Sequence, residues 1–280
     1  MSNEVLVIIG VGGMGLSIAR RVGAGRTIVL ADISAAGLET AADALSSDGH
    51  RVLIREVDVT SRRSVAAVAD MASEAGRVTA VVHTAGLSPQ QASAEAVMAV
   101  DLLGVALTID EFGRVIEPGG AAVVIASMAG HLQPALDPAV ERQLATAPTD
   151  ELLGLEACSK ITDSRMAYPF AKRANQIRVA AAAVSWGERG ARINCISPGV
   201  ISTAMGRLEL RSESGALMRA MVENSGLRRL GTPEDIAAAT EFLLGPSAAF
   251  VTGIDLLVDG GVVAAIQSGT IDLAKALADR

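Results

Sequence analysis

The sequence predicts an α/β fold: one doubly wound, mostly parallel sheet of seven strands with helices on both faces. Three observations carry this reading. Short apolar runs alternate with helical patterns along nearly all of the 280 residues, as a series of βαβ units requires. The first run, residues 5–9, is continuously apolar rather than alternating, which marks a strand covered on both faces. Turns of small residues follow three of the runs, at Gly10, at Ala85 and Gly86, and at Pro198 and Gly199, where open parallel sheets bind their ligands.

Taken in order, residues 5–9 lead into glycines at 10, 12, 13 and 15 and a helix over 16–22. Gly10, Gly12 and Gly15 read as GxGxxG, with Gly13 and Met14 between them. Such a turn lets the backbone approach a pyrophosphate and offers it a helix N-terminus. A second strand, 27–31, ends at Asp32, followed by Ile33. An acid about 20 residues beyond the glycines is where a dinucleotide's adenosine ribose is held. The carboxylate repels a ribose phosphate and no arginine directly follows it, so NAD is favoured over NADP. The alternative role for Asp32, a helix cap, can fall to Ser34.

The alternation continues with a helix over 35–46, a strand over 51–57 and then Asp58 and Val59. A helix from a Ser61 cap to residue 75 precedes a strand at 78–83. His83 ends that strand and reads as a packed turn histidine. A long helix is expected over 94–116 with Asp101 in its middle, then a strand at 121–126 with Ser127 at its end. Residues 131–165 break the rhythm with three prolines and many charges, and read as an insertion. Thr149 is expected to cap a short helix there. A lid, an oligomer contact and a solvated excursion are all open for this segment. His131 has no visible partner.

Tyr168 is the only tyrosine, and Lys172, one of three lysines, follows at i+4. That spacing puts both on one helix face. An ammonium beside a phenol favours the phenolate, which makes the pair a proton-transfer device. Pro169 belongs in a first helical turn, so the helix is expected to start near Ala167 and to run to Glu188. A strand follows at 191–196, then a turn over 197–203. A helical segment over 204–224 has Gly206 and Gly215 as hinges, and a helix opens at Thr232 and Pro233. The last strand covers 254–258, with a C-terminal extension at 264–280.

Composition narrows the function. No apolar run approaches the roughly 20 residues of a membrane span, and no secretion signal is visible at the N-terminus, so the expected location is cytoplasmic. Cys158 and Cys195 lie far apart without CxxC spacing, which argues against a disulfide framework or a cysteine metal site. A net charge of −7 and six aromatic residues provide no basic patch or stacking platform for nucleic acid. A small molecule is the expected partner, bound to one domain spanning 1–280. The apolar content of the late helices and the tail points to a homodimer or homotetramer.

In order and in placement at strand ends, the glycine turn, Asp32, Asp58-Val59, Ala85-Gly86, Ser127, Tyr168-x-x-x-Lys172, Pro198-Gly199 and the terminal Asp259-Gly260-Gly261 resemble the short-chain dehydrogenase/reductase family. The resemblance implies a Rossmann-type sheet and hydride transfer between a secondary alcohol and a nicotinamide cofactor. It implies that Ser127 binds the substrate oxygen, that Tyr168 transfers the proton, and that Lys172 lowers the tyrosine's pKa and holds the nicotinamide ribose. For the cofactor it implies Asp32 at the adenosine ribose, Asp58 and Val59 around adenine, Ala85 and Gly86 along the ribose, and Ile201 and Thr203 near the carboxamide.

Three departures stand out. The glycine loop is one residue shorter than the family's usual pattern. Asp101 occupies the position that usually carries an active-site asparagine; a carboxylate there biases Lys172 towards its charged form and can hold a relay water. Ser127 and Tyr168 are 41 residues apart because of the insertion. This resembles the bacterial 3α-hydroxysteroid dehydrogenase/carbonyl reductases, as does the stretch ending Trp186-Gly187. Leu, Ala and Met in the flanking loops suit a hydrophobic or steroid-like substrate. A non-catalytic dinucleotide sensor or scaffold, and an epimerase or dehydratase, are the other readings open at this point.

Overall fold

The computed structural model describes residues 3–90, 92–211 and 215–271. Its strands are β1 (Glu4–Ile9), β2 (Thr27–Asp32), β3 (Arg51–Glu56), β4 (Arg77–His83), β5 (Ala121–Ile125), β6 (Arg192–Pro198) and β7 (Asp255–Val258). They form one sheet in the order β3-β2-β1-β4-β5-β6-β7, and every pairing is parallel. Strand order reverses between β1 and β4, which opens a crevice at their carboxyl ends. The register aligns that crevice, because Ile9 lies opposite Ala31 on β2 and His83 on β4. Gly10, Asp32 and Thr84 therefore emerge side by side.

The helices are α1 (Gly13–Val22), α2 (Ala35–Ser47), α3 (Arg62–Ala75), α4 (Ala94–Val97), α5 (Gly104–Val115), α6 (Ala129–Leu132), α7 (Pro138–Thr146), α8 (Glu156–Ser159), α9 (Ser164–Glu188), α10 (Ala204–Arg211), α11 (Gly215–Glu223), α12 (Pro233–Leu244) and α13 (Val262–Gln267). The all-apolar β1 divides its side chains between two cores. Leu6 and Ile8 pack with Ile18, Leu38 and Ile236 from α1, α2 and α12. Val5, Val7 and Ile9 pack with Val65, Phe112 and Val179 from α3, α5 and α9. Period-two alternation with both faces buried is what the continuous run requires.

Local chemistry starts several helices where the sequence places them. Ser34 accepts from the Gly37 amide and Ser61 from the Ser64 amide. Thr232 and Asp235 cap each other's backbone in a capping box, with Pro233 in the first helical position.

Other boundaries differ from expectation. α1 begins at Gly13 rather than residue 16, so three more amides stand at its N-terminus. β6 continues through Pro198, which pairs with Val258, so the turn after it is shorter than expected. Asp163, which accepts from the Arg165 amide, starts α9 at Ser164 and leaves Pro169 inside the helix. The proline's missing N–H would have met the Arg165 carbonyl, and Arg165 is exposed at the helix end, where water can replace that bond. The long helix over 94–116 is interrupted by a π-turn, Met98–Leu103, centred on Asp101. The expected helical segment over 204–224 is two helices. Gly206 lies within α10, where a Cβ would fall 2.0 Å from the Ile201 carbonyl oxygen, so it serves close packing rather than a hinge.

The insertion is docked. Leu144 and Leu152 are fully buried in a cluster with Ala106, Phe170 and Ala174. The Arg178 guanidinium on α9 donates to the carbonyls of Leu144 and Ala147 at 2.9 and 3.1 Å and to the Thr149 hydroxyl at 3.1 Å. Thr149 thus receives an arginine instead of capping a helix; it opens a short 3-10 turn whose cap position is Pro148. Arg62 ties Asp150 to Glu111 of α5, at 3.1 and 2.8 Å. Of the C-terminal extension, residues 264–271 carry the end of α13, and residues 272–280 lie outside the described part. No helix among the described residues is long and apolar enough to cross a membrane.

Candidate active site

A cleft of about 410 Å³ opens at the carboxyl ends of β1, β2 and β4. It is lined by Gly10, Gly12, Gly13, Met14, Gly15, Asp32, Ile33, Asp58, Val59, Ala85, Gly86 and Thr203, all singled out from sequence. Gly10 has φ +97°, and a Cβ there would meet the Ala85 amide nitrogen at 2.6 Å, so only glycine fits this turn. At Gly12 a Cβ would meet nothing within 4 Å, which leaves the floor before α1 open to a ligand. The shortened loop thus still presents the first amides of α1, which have no intrahelical partner. Asp32 closes the far side. Its carboxylate accepts from the Val11 amide at 2.8 Å and the Ser34 amide at 3.0 Å, which pins it to the glycine loop. Asp58 accepts from the amide and hydroxyl of Thr60.

A second cavity adjoins the first and shares Met14, Thr203 and Met205 with it. Ser127, Tyr168 and Ile201 line it together with Met128 and Met218, so Ile201 belongs to this cavity rather than to the long cleft. Ser127 stands just beyond β5, where its Oγ accepts from the Ala129 amide at 3.1 Å and its hydroxyl hydrogen-bonds Tyr168. Lys172, one turn along α9, has its ammonium 5.4 Å from the Tyr168 ring centre. The sequence therefore brings serine, tyrosine and lysine to one place, although the insertion separates the first from the others.

Lys172 and Asp101 line neither cavity; they lie behind Gly86, which lines the long cleft. They form a buried ion pair at 3.2 Å. Asp101 also accepts from the Leu87 amide at 2.7 Å, and its own carbonyl accepts from the Asn175 amide group at 2.8 Å. Gly86 makes room for the pair: a Cβ there would sit 3.2 Å from the Lys172 ammonium. Burial opposes the lysine's charge, but the carboxylate of Asp101 outweighs it and holds Lys172 charged, as expected from sequence. Burial raises the pKa of Asp101 itself.

For Tyr168 the net effect differs from the expected lowering. Burial raises its pKa first; Lys172 and the Ser127 hydrogen bond pull it down, while Asp101 and Glu209 push it up. The balance lies above the ordinary phenol value, because burial is the largest influence and Asp101 and Glu209 add to it. His83 is buried, bonded to the Thr108 hydroxyl at 3.0 Å, and its pKa is pushed down to about 3 by burial. It is a neutral packing residue. His131 does have a partner: its Nε2 lies 2.5 Å from Asp255 of β7, which also accepts from Ser197 at 2.8 Å. Neither cavity includes His131 or any other residue of 131–165. Both cysteines are free and buried, Cys158 pushed up to about 11 by burial.

Several lining residues lie in stretches that the sequence marks as flanking the site without being singled out there. Thr84, Leu87, Val100 and Met205 line the long cleft; Glu209 and Met218 line the second. For Thr84 the signal was adjacency to Ala85. For Glu209 it was the spacing of four from Met205, which puts both on one face of α10.

Residues 3–139 match the family profile described as short chain dehydrogenase. Residues 153–263 match one described as Enoyl-(Acyl carrier protein) reductase. The short-chain dehydrogenase/reductase bsc3 of Alternaria brassicicola is 41% identical over 272 residues, covering 96% of this chain and 99% of that protein. A 3-alpha-hydroxysteroid dehydrogenase/carbonyl reductase of Comamonas testosteroni is 28% identical, over 80% of this chain and 91% of its own length. A solved short-chain type dehydrogenase/reductase from Mycobacterium ulcerans superposes with a TM-score of 0.75 at 23% identity, covering 98% of this chain and 97% of that one. At that identity the superposition speaks for the fold alone.

Proposed function

The chain belongs to the short-chain dehydrogenase/reductase family, and from that premise we propose that it interconverts a secondary alcohol and a ketone with NAD(H). The observation that carries the reading is that Ser127 and Tyr168 line the cavity adjoining the long cleft, with the buried Lys172 ammonium 5.4 Å from the Tyr168 ring centre. A dinucleotide fits the long cleft, because the floor at Gly12 is open, the α1 amides face it and a carboxylate stands at its far end. Gly10, Gly12, Gly13, Met14 and Gly15 would hold the pyrophosphate, Asp32 the adenosine ribose, Asp58 and Val59 the adenine, and Ala85 and Gly86 the second ribose, with the Lys172 ammonium behind Gly86 to reach its hydroxyls. Asp32 favours NAD over NADP, since a ribose phosphate would meet its negative charge. The bound nicotinamide supplies or accepts the hydride.

The protein's own groups handle the oxygen and its proton. Ser127 donates a hydrogen bond to the substrate oxygen. In the reducing direction the Tyr168 phenol gives that oxygen a proton; in the oxidising direction the phenolate removes one. Lys172 stabilises the phenolate by its charge, and Asp101 keeps Lys172 charged. With the phenol's pKa held above its ordinary value, Tyr168 is protonated near neutral pH. The phenol is the form that serves carbonyl reduction, and alcohol oxidation, which needs the phenolate, rises as the solution becomes alkaline. Methionines line the reaction cavity, which suits a hydrophobic, steroid-like or similar substrate. The exposed Val184 and Phe250 are apolar contacts available to a homo-oligomer.

The test is NAD reduction with a panel of hydrophobic secondary alcohols, by the native protein and by Tyr168→Phe. Removing a general acid–base is expected to lower turnover about 100-fold or more while the melting shift with NADH persists. Unchanged turnover in Tyr168→Phe contradicts the mechanism. Cofactor binding without turnover of any alcohol or ketone would point instead to a dinucleotide sensor.

A further inference from the structure

The reaction cavity is lined mainly by apolar and small residues, among them Met205 and Met218, yet Glu209 stands in it alongside Ser127 and Tyr168. Its place follows from α10. Met205, Gly206 and Glu209 share the inward face of that helix, while Arg207 and Leu208 are exposed. Glu209 is partly buried and hydrogen-bonded by the Ser88 hydroxyl, and Ser88 is itself buried, on the loop after β4. The acid is close enough to Tyr168 to act on the phenol electrostatically. A carboxylate placed in an apolar wall is costly unless something bonds to it, and its two oxygens together offer about four acceptor positions, enough for a ligand hydroxyl beside protein donors.

We infer that Glu209 is a specificity residue that accepts a hydrogen bond from a second hydroxyl on the substrate. The preferred substrate is then an apolar secondary alcohol, or the corresponding ketone, bearing another hydroxyl group. A neutral hydroxyl fits better than a substrate ammonium, because the lining around Glu209 is mainly apolar and stripping an ammonium of its water there costs far more than stripping a hydroxyl. The inference rests on the alcohol–ketone reading above and deepens it.

The probes are cyclohexanol, cyclohexanediols with the second hydroxyl at successive ring positions, and the matching aminocyclohexanols. The readout is the ratio of kcat/KM for each bifunctional probe to that for cyclohexanol. In the native protein one diol should exceed cyclohexanol. That ratio should fall about tenfold to a hundredfold in Glu209→Leu, the loss of one hydrogen bond to a charged group. Glu209→Gln, a neutral acceptor of the same shape, should fall between. The NADH-induced melting shift of both variants reports that they fold. Diol ratios equal to the native ones in both variants overturn the inference, as does a native preference for an aminocyclohexanol over every diol. Oxidation of cyclohexanol with no diol preference overturns the inference and leaves the alcohol–ketone reading standing. Failure to turn over any alcohol, or any of the corresponding ketones, overturns both.

Discussion

At the scale of single residues, proton transfer turns on the balance of charge around Tyr168. The phenol and Lys172 were legible as a pair because helical spacing alone places them on one face. The countervailing carboxylate was legible only as Asp101 at an unusual position; its 3.2 Å contact with Lys172 depends on packing between the π-turn and α9. Asp101 raises the Tyr168 pKa, so replacing it by asparagine removes that push while Lys172 still pulls down. The alkaline rise of alcohol oxidation in Asp101→Asn is therefore expected to move to lower pH. A pH–rate profile checks this. Movement to higher pH would show that Lys172 loses its proton without Asp101, contrary to the account. Pairings such as His131 with Asp255 were beyond sequence reading for a simple reason: 124 residues separate the two, and only the sheet order brings them together.

Elements with local signals were the most readable. The caps at Ser34, Ser61 and Thr232 depend on bonds within three or four residues, and each lies where composition places it. The π-turn within 94–116 has no such signal. It widens the helix at the point where the Asp101 side chain meets Lys172 and the Leu87 amide, and where its carbonyl meets Asn175. Widened turns of this kind gather at functional sites. The insertion was visible as a break in rhythm, but its docking was not, since it depends on Arg178 reaching back from α9 to two carbonyls and a hydroxyl. Arg178→Met should leave those carbonyls without a donor and lower stability by about 2–4 kcal/mol. Limited proteolysis should then cut within 138–155 sooner than in the native protein, and an unchanged digestion pattern would show that the segment is held by Leu144 and Leu152 alone.

Across the whole molecule, the sheet order and the alternating cores of β1 unite the two cavities at one end of the sheet, with the glycine loop and Asp32 on one side and Ser127 and Tyr168 on the other. That architecture was legible because continuous apolar runs, glycine turns and helix caps all point to the same parallel sheet. Its central claim is that the chain is built around NAD(H), without which Tyr168 has no reaction to serve. A ligand that binds only the folded state stabilises it by about 2.7 kcal/mol at 100 times its dissociation constant. For a domain of this size that corresponds to a melting shift of roughly 5 °C or more. The most direct measurement is therefore the melting temperature with NADH and with NADPH, for the native protein and for Asp32→Ser. NADH is expected to raise it well above NADPH in the native protein, and the variant is expected to narrow the gap. A larger shift with NADPH in the native protein, or none with either, would contradict the account.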